Sequence, residues 1–173
     1  RFVADSGDFQ FEVNPLLQPT RPWINVIANP DFGTHVSEAG GGYTWARNSR
    51  SMQITTWAND PVCDPPSEMF LVQDCSTLAN WSVAPSAWGQ QASTYQITHG
   101  QGYSSVKHQH DGLAIEAAWC VDDKASVKQV QVTLTNHSPY ARTLRLIGLV
   151  EWQMGASRSD RSSVHTALHR QLE

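Results

Sequence analysis

Strict alternation of apolar and polar residues is the feature that most limits how this chain can fold. Val130, Val132 and Leu134 alternate with glutamine and threonine, which is the period of a half-buried β-strand with one face in water. Similar runs recur about every ten residues, with glycine and proline spread between them. Because both residues interrupt helices, the pattern predicts an antiparallel β-sandwich and excludes alternating strands and helices.

The second half of the chain allows the most detailed strand prediction. Runs at 94–99, 103–110 and 113–121, separated by glycine-containing turns, predict a three-stranded meander. The runs at 130–135 and 143–152 flank a proline-containing turn and predict a hairpin with a loop of about six residues. The second of these runs is apolar on both sides near its middle, so it is expected to be a central strand.

The remaining segments give less detail. Earlier strands are expected at 9–13, 23–28, 34–39, 43–46, 52–57 and 69–73. The segment 160–173 fits both a helix and a strand, because its apolar residues recur every four positions and also alternate.

Length and charge restrict the class of protein. A chain of 173 residues is expected to form one domain over 1–173. Its net charge is −4, which argues against a nucleic-acid partner because such binders normally carry a basic excess. Three cysteines without a Cys-x-x-Cys pair predict neither a disulfide framework nor a zinc–thiolate site, and favour a reducing, cytoplasmic location. No apolar run approaches the 18 residues that a membrane helix needs.

The first candidate site follows three consecutive glycines at 40–42. Tyr43, Trp45, Asn48 and Arg50 come directly after them. Such a set can bind a sugar, because an aromatic ring stacks on the apolar face of a pyranose while amide and guanidinium groups bind its hydroxyls. The alternative is a glycine hairpin whose aromatic residues belong to the core.

The second candidate site is the proline-rich stretch 57–68. It begins at Trp57 and contains the carboxylates Asp60, Asp64 and Glu68. Two carboxylates can act as acid and base in glycoside cleavage. However, Asp60 and Asp64 each precede proline, a pattern typical of turns, so the alternative is a rigid loop whose aspartates accept bonds from nearby backbone N–H groups.

Three histidines are candidate metal ligands. His108 and His110 are two residues apart on a predicted strand and therefore share a face, and His99 is nearby in sequence. No cysteine or carboxylate has a matching spacing, so we expect ordinary histidines on a polar strand face and no metal site.

Several stretches resemble, in the same order along the chain, one family of sugar-active enzymes. The longest reads Trp-Ile-Asn-Val-Ile-Ala-Asn-Pro-Asp-Phe-Gly, and the others follow it at 36–40, 42–45, 48–50, 59–62, 64–66 and 99–104. They resemble the N-terminal sandwich domain of the inverting disaccharide phosphorylases of glycoside hydrolase family 94, formerly glycosyltransferase family 36. The phosphorylase-like module of bacterial cyclic β-1,2-glucan synthases is especially similar. The chain departs from the family pattern at Cys63 and Ser67, where that pattern has serine and glycine.

The resemblance implies a large galactose-mutarotase-like super-sandwich, incomplete in this chain and forming the N-terminal part of a larger module. In the family an (α/α)6 barrel follows and carries the catalytic acid and the phosphate site. That barrel is absent here, so the resemblance assigns no catalytic residue and no cofactor to the chain, although the parent enzyme is expected to use inorganic phosphate. It also implies that the glycine-rich loop and the 59–68 loop lie toward the barrel or a partner subunit.

These implications support three hypotheses about function. The first is a non-catalytic domain that shapes the active site of a β-glucoside phosphorylase or cyclic glucan synthase, located in the cytoplasm or at the cytoplasmic face of the inner membrane. The second is a free-standing carbohydrate-binding module for β-glucans, with Tyr43, Trp45 and Trp57 as its stacking platform. The third, compatible with the first, is an interaction domain that forms a homodimer through unpaired sheet edges.

Overall fold

A computed structural model describes residues 1–60, 62–63, 65–85 and 93–168. These residues form antiparallel strands in three sheets and one short 3₁₀ helix, which confirms the all-β prediction. The strands of the described residues are β1 (Phe9–Val13), β2 (Asn25–Ala28), β3 (Phe32–Ser37), β4 (Gly40–Ala46), β5 (Gln53–Thr55), β6 (Glu68–Asp74), β7 (Asn80–Ser82), β8 (Tyr95–Gly100), β9 (Tyr103–His110), β10 (Leu113–Val121), β11 (Lys128–Asn136), β12 (Leu144–Val150) and β13 (Trp152–Gly155).

The first sheet has the strand order β1-β8-β9-β10-β11 and contains the predicted meander, which is thereby confirmed. Along β10 the residues alternate between buried and partly exposed positions, as expected for a sheet that packs on a core with one face only. The buried positions of β10 are Leu113, Ile115, Ala117 and Trp119.

The second sheet (β12-β6-β7) and the third sheet (β13-β5-β4-β3-β2) are joined by a strand that changes partner. β12 pairs with β6 as far as Val150, and after the single residue Glu151 the chain continues as β13, paired with β5. The Glu151 N–H donates to the Ser67 carbonyl and its carbonyl accepts from the Thr56 N–H. The two smaller sheets are therefore continuous at this point.

The core lies between the first sheet and the two smaller ones. Trp119 on β10 and Trp81 on β7 are its largest fully buried side chains, and Val36, Val72 and Ile97 join them from three other strands. Since all three sheets contribute to one apolar cluster, each depends on the others to cover its apolar face.

The predicted hairpin between the runs at 130–135 and 143–152 is wrong. β11 pairs along its whole length with β10, whereas β12 pairs with β6 in a different sheet. The connection between them is fixed by Arg142, whose guanidinium binds Asp74 at the end of β6 and Asp111 in the turn between β9 and β10. The chain therefore crosses from the first sheet to the second at the place where a hairpin loop was expected.

The prediction that the 143–152 run is a central strand is also wrong. β12 is at the edge of its sheet among the described residues, and Leu146 and Leu149 on its two faces are each about half exposed. Apolar residues on both faces therefore reflect an uncovered edge here and do not reflect burial between neighbouring strands.

The C-terminal segment left open between helix and strand, 160–173, begins inside a 3₁₀ helix that spans Arg158–Ser163, and residues 164–168 have no regular structure. The remainder of the segment, 169–173, lies outside the described residues.

The short strand β7 was not predicted, because three residues are too few to show a period. In the described part of the chain no helix is long and apolar enough to cross a membrane.

Candidate functional site

The three glycines at the start of β4 allow close packing. A Cβ atom on Gly41 would overlap the Glu68 carboxylate, and one on Gly42 would overlap the His35 ring. Gly40 has a φ of +96°, which side-chain-bearing residues rarely adopt. The glycine-rich segment is therefore required by close approach and by one turn conformation, and it places β4 directly against β6.

Glu68, the first residue of β6, lies at the centre of a buried polar network. Its Oε1 accepts from the Trp119 indole N–H at 3.0 Å, and its Oε2 lies 2.6 Å from the Lys128 Nζ. The Lys128 ammonium also donates to the Thr44 hydroxyl at 2.8 Å. The side chains of Glu68 and Lys128 are only 4% and 12% exposed. The ion pair joins the first and second sheets, and the bond from Lys128 to Thr44 adds the third sheet to the network. The Glu68 carboxylate, one of the possible acids in the sequence, is therefore engaged in this network.

Sequence reasoning did not identify Lys128 as part of the site, although a signal was present. In β11 the residues Val130, Val132 and Leu134 face the core, and Lys128 has the same phase of the alternation. A lysine at an inward-facing strand position is rarely buried without a partner, so it indicates an ion pair with a distant carboxylate. Only the tertiary structure shows which carboxylate Lys128 contacts.

The aromatic residues of the first candidate site form a stack. The Tyr43 ring packs on Trp57 with centroids 5.1 Å apart and on Trp45 at 5.0 Å, and the His35 ring contacts both Tyr43 and Trp57 edge-on. Tyr43 is buried, Trp45 is partly buried and Trp57 is 43% exposed. Burial raises the pKa of Tyr43 above its ordinary value. Trp57 is therefore the most accessible ring of the stack.

The polar residues expected beside this stack lie in a turn. The Asn48 side-chain oxygen accepts from the backbone N–H groups of Arg50 and Ser51, and the Arg50 side chain is exposed. Asn48 therefore stabilises its own turn, which is the usual role of an asparagine in such a position.

The proline-rich loop shows similar local bonding. The Asp60 carboxylate accepts from the N–H groups of Cys63 and Val62, and these bonds hold the pKa of Asp60 below its ordinary value. Asp64 lies outside the described residues. Ser67, one of the two departures from the family pattern, is buried, and its hydroxyl contacts the Gly42 carbonyl and, at 2.9 Å, the Thr55 hydroxyl. The serine hydroxyl at this position thus adds polar contacts that link the start of β6 to β4 and β5.

The expectation of polar-face histidines is wrong for His108. Its side chain faces the core, the residue is 6% exposed, and its ring lies 4.4 Å from that of Tyr95. Among the residues that the structure describes, neither ring nitrogen has a hydrogen-bond partner. His99, by contrast, bonds the Ser104 hydroxyl and the Trp23 carbonyl. Among the described residues no group of three or more histidine, cysteine or acidic side chains is arranged to hold a metal ion.

Comparison with known proteins places the chain in a family. Residues 11–172 match the family model described as the glycosyl hydrolase 94 supersandwich domain. Over 91% of its length the chain is 36% identical to the cyclic beta-(1,2)-glucan synthase NdvB of Rhizobium meliloti (strain 1021). It is 27% identical over 88% of its length to the solabiose phosphorylase of Paenibacillus borealis, and 24% identical over 86% to the N,N'-diacetylchitobiose phosphorylase of Vibrio proteolyticus.

The matched region is a small part of each relative. It spans 6% of the length of the glucan synthase, 20% of the solabiose phosphorylase and 19% of the diacetylchitobiose phosphorylase. The antiparallel three-sheet architecture agrees with the family model, which covers nearly all of the chain. The chain therefore belongs to the glycosyl hydrolase 94 supersandwich-domain family.

Proposed function

We propose that this chain is a non-catalytic sandwich domain of a β-glucoside phosphorylase or cyclic β-1,2-glucan synthase, where it shapes the active site and makes contacts with other domains. The partners would be a helical-barrel catalytic domain, a β-glucoside or β-glucan bound at the shared site, and a second copy of the chain. Inorganic phosphate would be a co-substrate of the whole enzyme.

One observation carries this proposal: the acidic groups at the candidate site that the structure describes are engaged in holding the chain together. Glu68 is paired with Lys128, and Asp60 accepts two backbone N–H groups of its own loop. A general acid needs a proton that it can give to the substrate, and these carboxylates are not free for that purpose. The Trp57 ring, in contrast, remains half exposed above a rigid stack, which suits a contact surface.

The exposed edges of the sheets favour an interaction with another protein chain or domain. Leu146 and Leu149 on β12 are each about half exposed, next to backbone groups of an edge strand. Exposed apolar edge strands tend to pair with or pack against another chain or domain.

For location, we propose the cytoplasm or its membrane face; the three free thiols of Cys63, Cys75 and Cys120 agree with a reducing compartment.

The proposal predicts that the 173-residue chain is catalytically silent. Incubated with phosphate and either cellobiose or β-1,2-glucan, it should release no glucose 1-phosphate above a blank without protein. An intact phosphorylase acting on its own substrate in the same buffer provides the positive control for the coupled assay. Release of glucose 1-phosphate in proportion to the amount of folded chain would contradict the proposal.

The alternative function is a carbohydrate-binding module, and the exposure of Trp57 is the observation that favours it. Because Tyr43 is buried, the platform would consist of Trp57 and the edge of Trp45. This alternative predicts saturable glucan binding that is lost on replacing Trp57 or Trp45 with alanine. Glucan binding that survives both replacements would count against it.

A further inference from the structure

A cavity of about 510 Å³ has a lining that differs from the residues of the aromatic stack. It lies where β12 passes into β13, between the start of β6 and the segment that contains the 3₁₀ helix. Its volume is within the range of about 300–1,000 Å³ that is usual for small-molecule sites. The lining combines apolar side chains with three groups suited to recognition, namely Trp152, Glu151 and Arg161.

The carboxylate of this cavity is held in a defined position. Glu151 interrupts the strand between β12 and β13, and its Oε2 accepts from the Thr56 hydroxyl at 2.7 Å. Its Oε1 lies 2.8 Å from the Arg161 Nη1, and both side chains are about 40% exposed. The carboxylate is therefore oriented by two neighbours and still accessible to a ligand.

The guanidinium belongs to the short 3₁₀ helix at Arg158–Ser163. At the start of the 3₁₀ helix the Asp160 carboxylate accepts from the Ser157 N–H at 2.8 Å, and Gly155 packs so closely on Asp160 that a Cβ atom would overlap it. In the described part of the chain the Arg161 guanidinium forms one ion pair, with Glu151. Because a guanidinium carries five N–H donors, several of them remain available at the cavity.

The third group suited to ligand recognition in this cavity is the indole ring of Trp152. Trp152 is 38% exposed although it belongs to a paired strand. The face of an indole ring is electron-rich and attracts the weakly positive C–H groups on one side of a pyranose ring. An accessible indole, an oriented carboxylate and a guanidinium with free donors together match a ring that has one apolar face and several hydroxyls.

We propose that this cavity is a saccharide-binding subsite in which Trp152 stacks on a pyranose ring while Glu151 accepts from, and Arg161 donates to, its hydroxyl groups. The subsite is additional to the function proposed above, and only the choice of β-glucans as probes rests on that function. It would hold part of a glucan chain on residues other than those of the Tyr43–Trp57 stack.

Isothermal titration calorimetry of the 173-residue chain with cellobiose and with a linear β-1,2-gluco-oligosaccharide tests this proposal. Calorimetry is required because replacing Trp152 would remove a fluorescent reporter together with the site. Saturable binding is expected for at least one of the two probes. Trp152→Ala should abolish this binding, and Arg161→Gln should raise Kd about tenfold, which corresponds to about 1.4 kcal/mol.

Trp23→Ala is the matched control, because Trp23 is also an exposed indole but precedes β2, at the opposite edge of the third sheet from β13; it should leave Kd unchanged. Arg161→Gln decides the matter if Trp152→Ala fails to fold, since Arg161 lies on an exposed turn. Absence of binding to both probes, or binding that is unaffected by both cavity variants, overturns the proposal. Neither result bears on the catalytic silence of the chain, which the phosphorolysis assay measures separately.

Discussion

Replacing Lys128 with methionine is expected to lower the free energy of unfolding by about 3–5 kcal/mol. The substitution preserves most of the apolar stem but leaves the Glu68 carboxylate buried without its cationic partner. Removing one member of a buried ion pair is costly because the remaining charge has lost its hydration and gains no compensating attraction. Urea-induced unfolding followed by circular dichroism measures the change.

Two further variants show whether the effect comes from the buried charge. The double substitution of Lys128→Met with Glu68→Leu removes both charges, so it should recover a large part of the lost stability. Lys107→Met is the control, because Lys107 forms an ion pair with Glu116 at 3.1 Å on the exposed face of the first sheet. An exposed pair contributes about 0–1 kcal/mol. A cost for Lys128→Met no larger than that for Lys107→Met would show that the network does not connect the sheets as described.

The second large effect concerns acid stability and depends on His108. Burial lowers the pKa of His108 to about 4, and the nearby His110 acts in the same direction. In the unfolded chain a histidine has a pKa of about 6.5. Between these values the unfolded state binds a proton that the folded state does not, so stability falls as the pH falls from about 6.5 to 4 and is unaffected by this group at higher pH. Over the whole window the loss is about 3 kcal/mol.

His108→Phe should remove this part of the pH dependence. Phenylalanine can keep the ring contact with Tyr95 and carries no group that titrates, so the variant should be more stable than the parent chain near pH 5. The measurement is the free energy of unfolding in urea at several pH values between 4 and 7. His137→Gln is the control, because His137 is exposed, and it should retain the parent profile. An unchanged decline toward low pH in His108→Phe would refute the assignment.

Strand positions were largely determined by local sequence. The bounds predicted for β1, β9 and β10 agree with those of the structure, because an alternation of period two over several residues specifies which side of a strand is buried. The turns between β8, β9 and β10 were also recognisable, since glycine lies at positive φ in both of them, at Gly102 and Gly112. The class of the fold therefore followed from patterns only a few residues long.

The same local signals located the candidate site but not its contacts. The motif at 57–68 and the glycines before Tyr43 were recognised as unusual, and the close approach that the glycines allow is present. The partners of Glu68 were not predictable, since Trp119 and Lys128 are 51 and 60 residues away in the chain. A residue type shows that a charge is present, whereas only the folded chain shows which opposite charge it meets.

What the sequence by itself determined is the all-β architecture, the position of most strands and the family to which the chain belongs. The tertiary structure alone decided that β11 and β12 lie in different sheets, that His108 faces the core, and that Glu68 pairs with Lys128. The physical reason is that hydrophobic alternation acts along neighbouring residues, whereas strand pairing and ion pairing are chosen among distant segments by the burial that all three sheets achieve together.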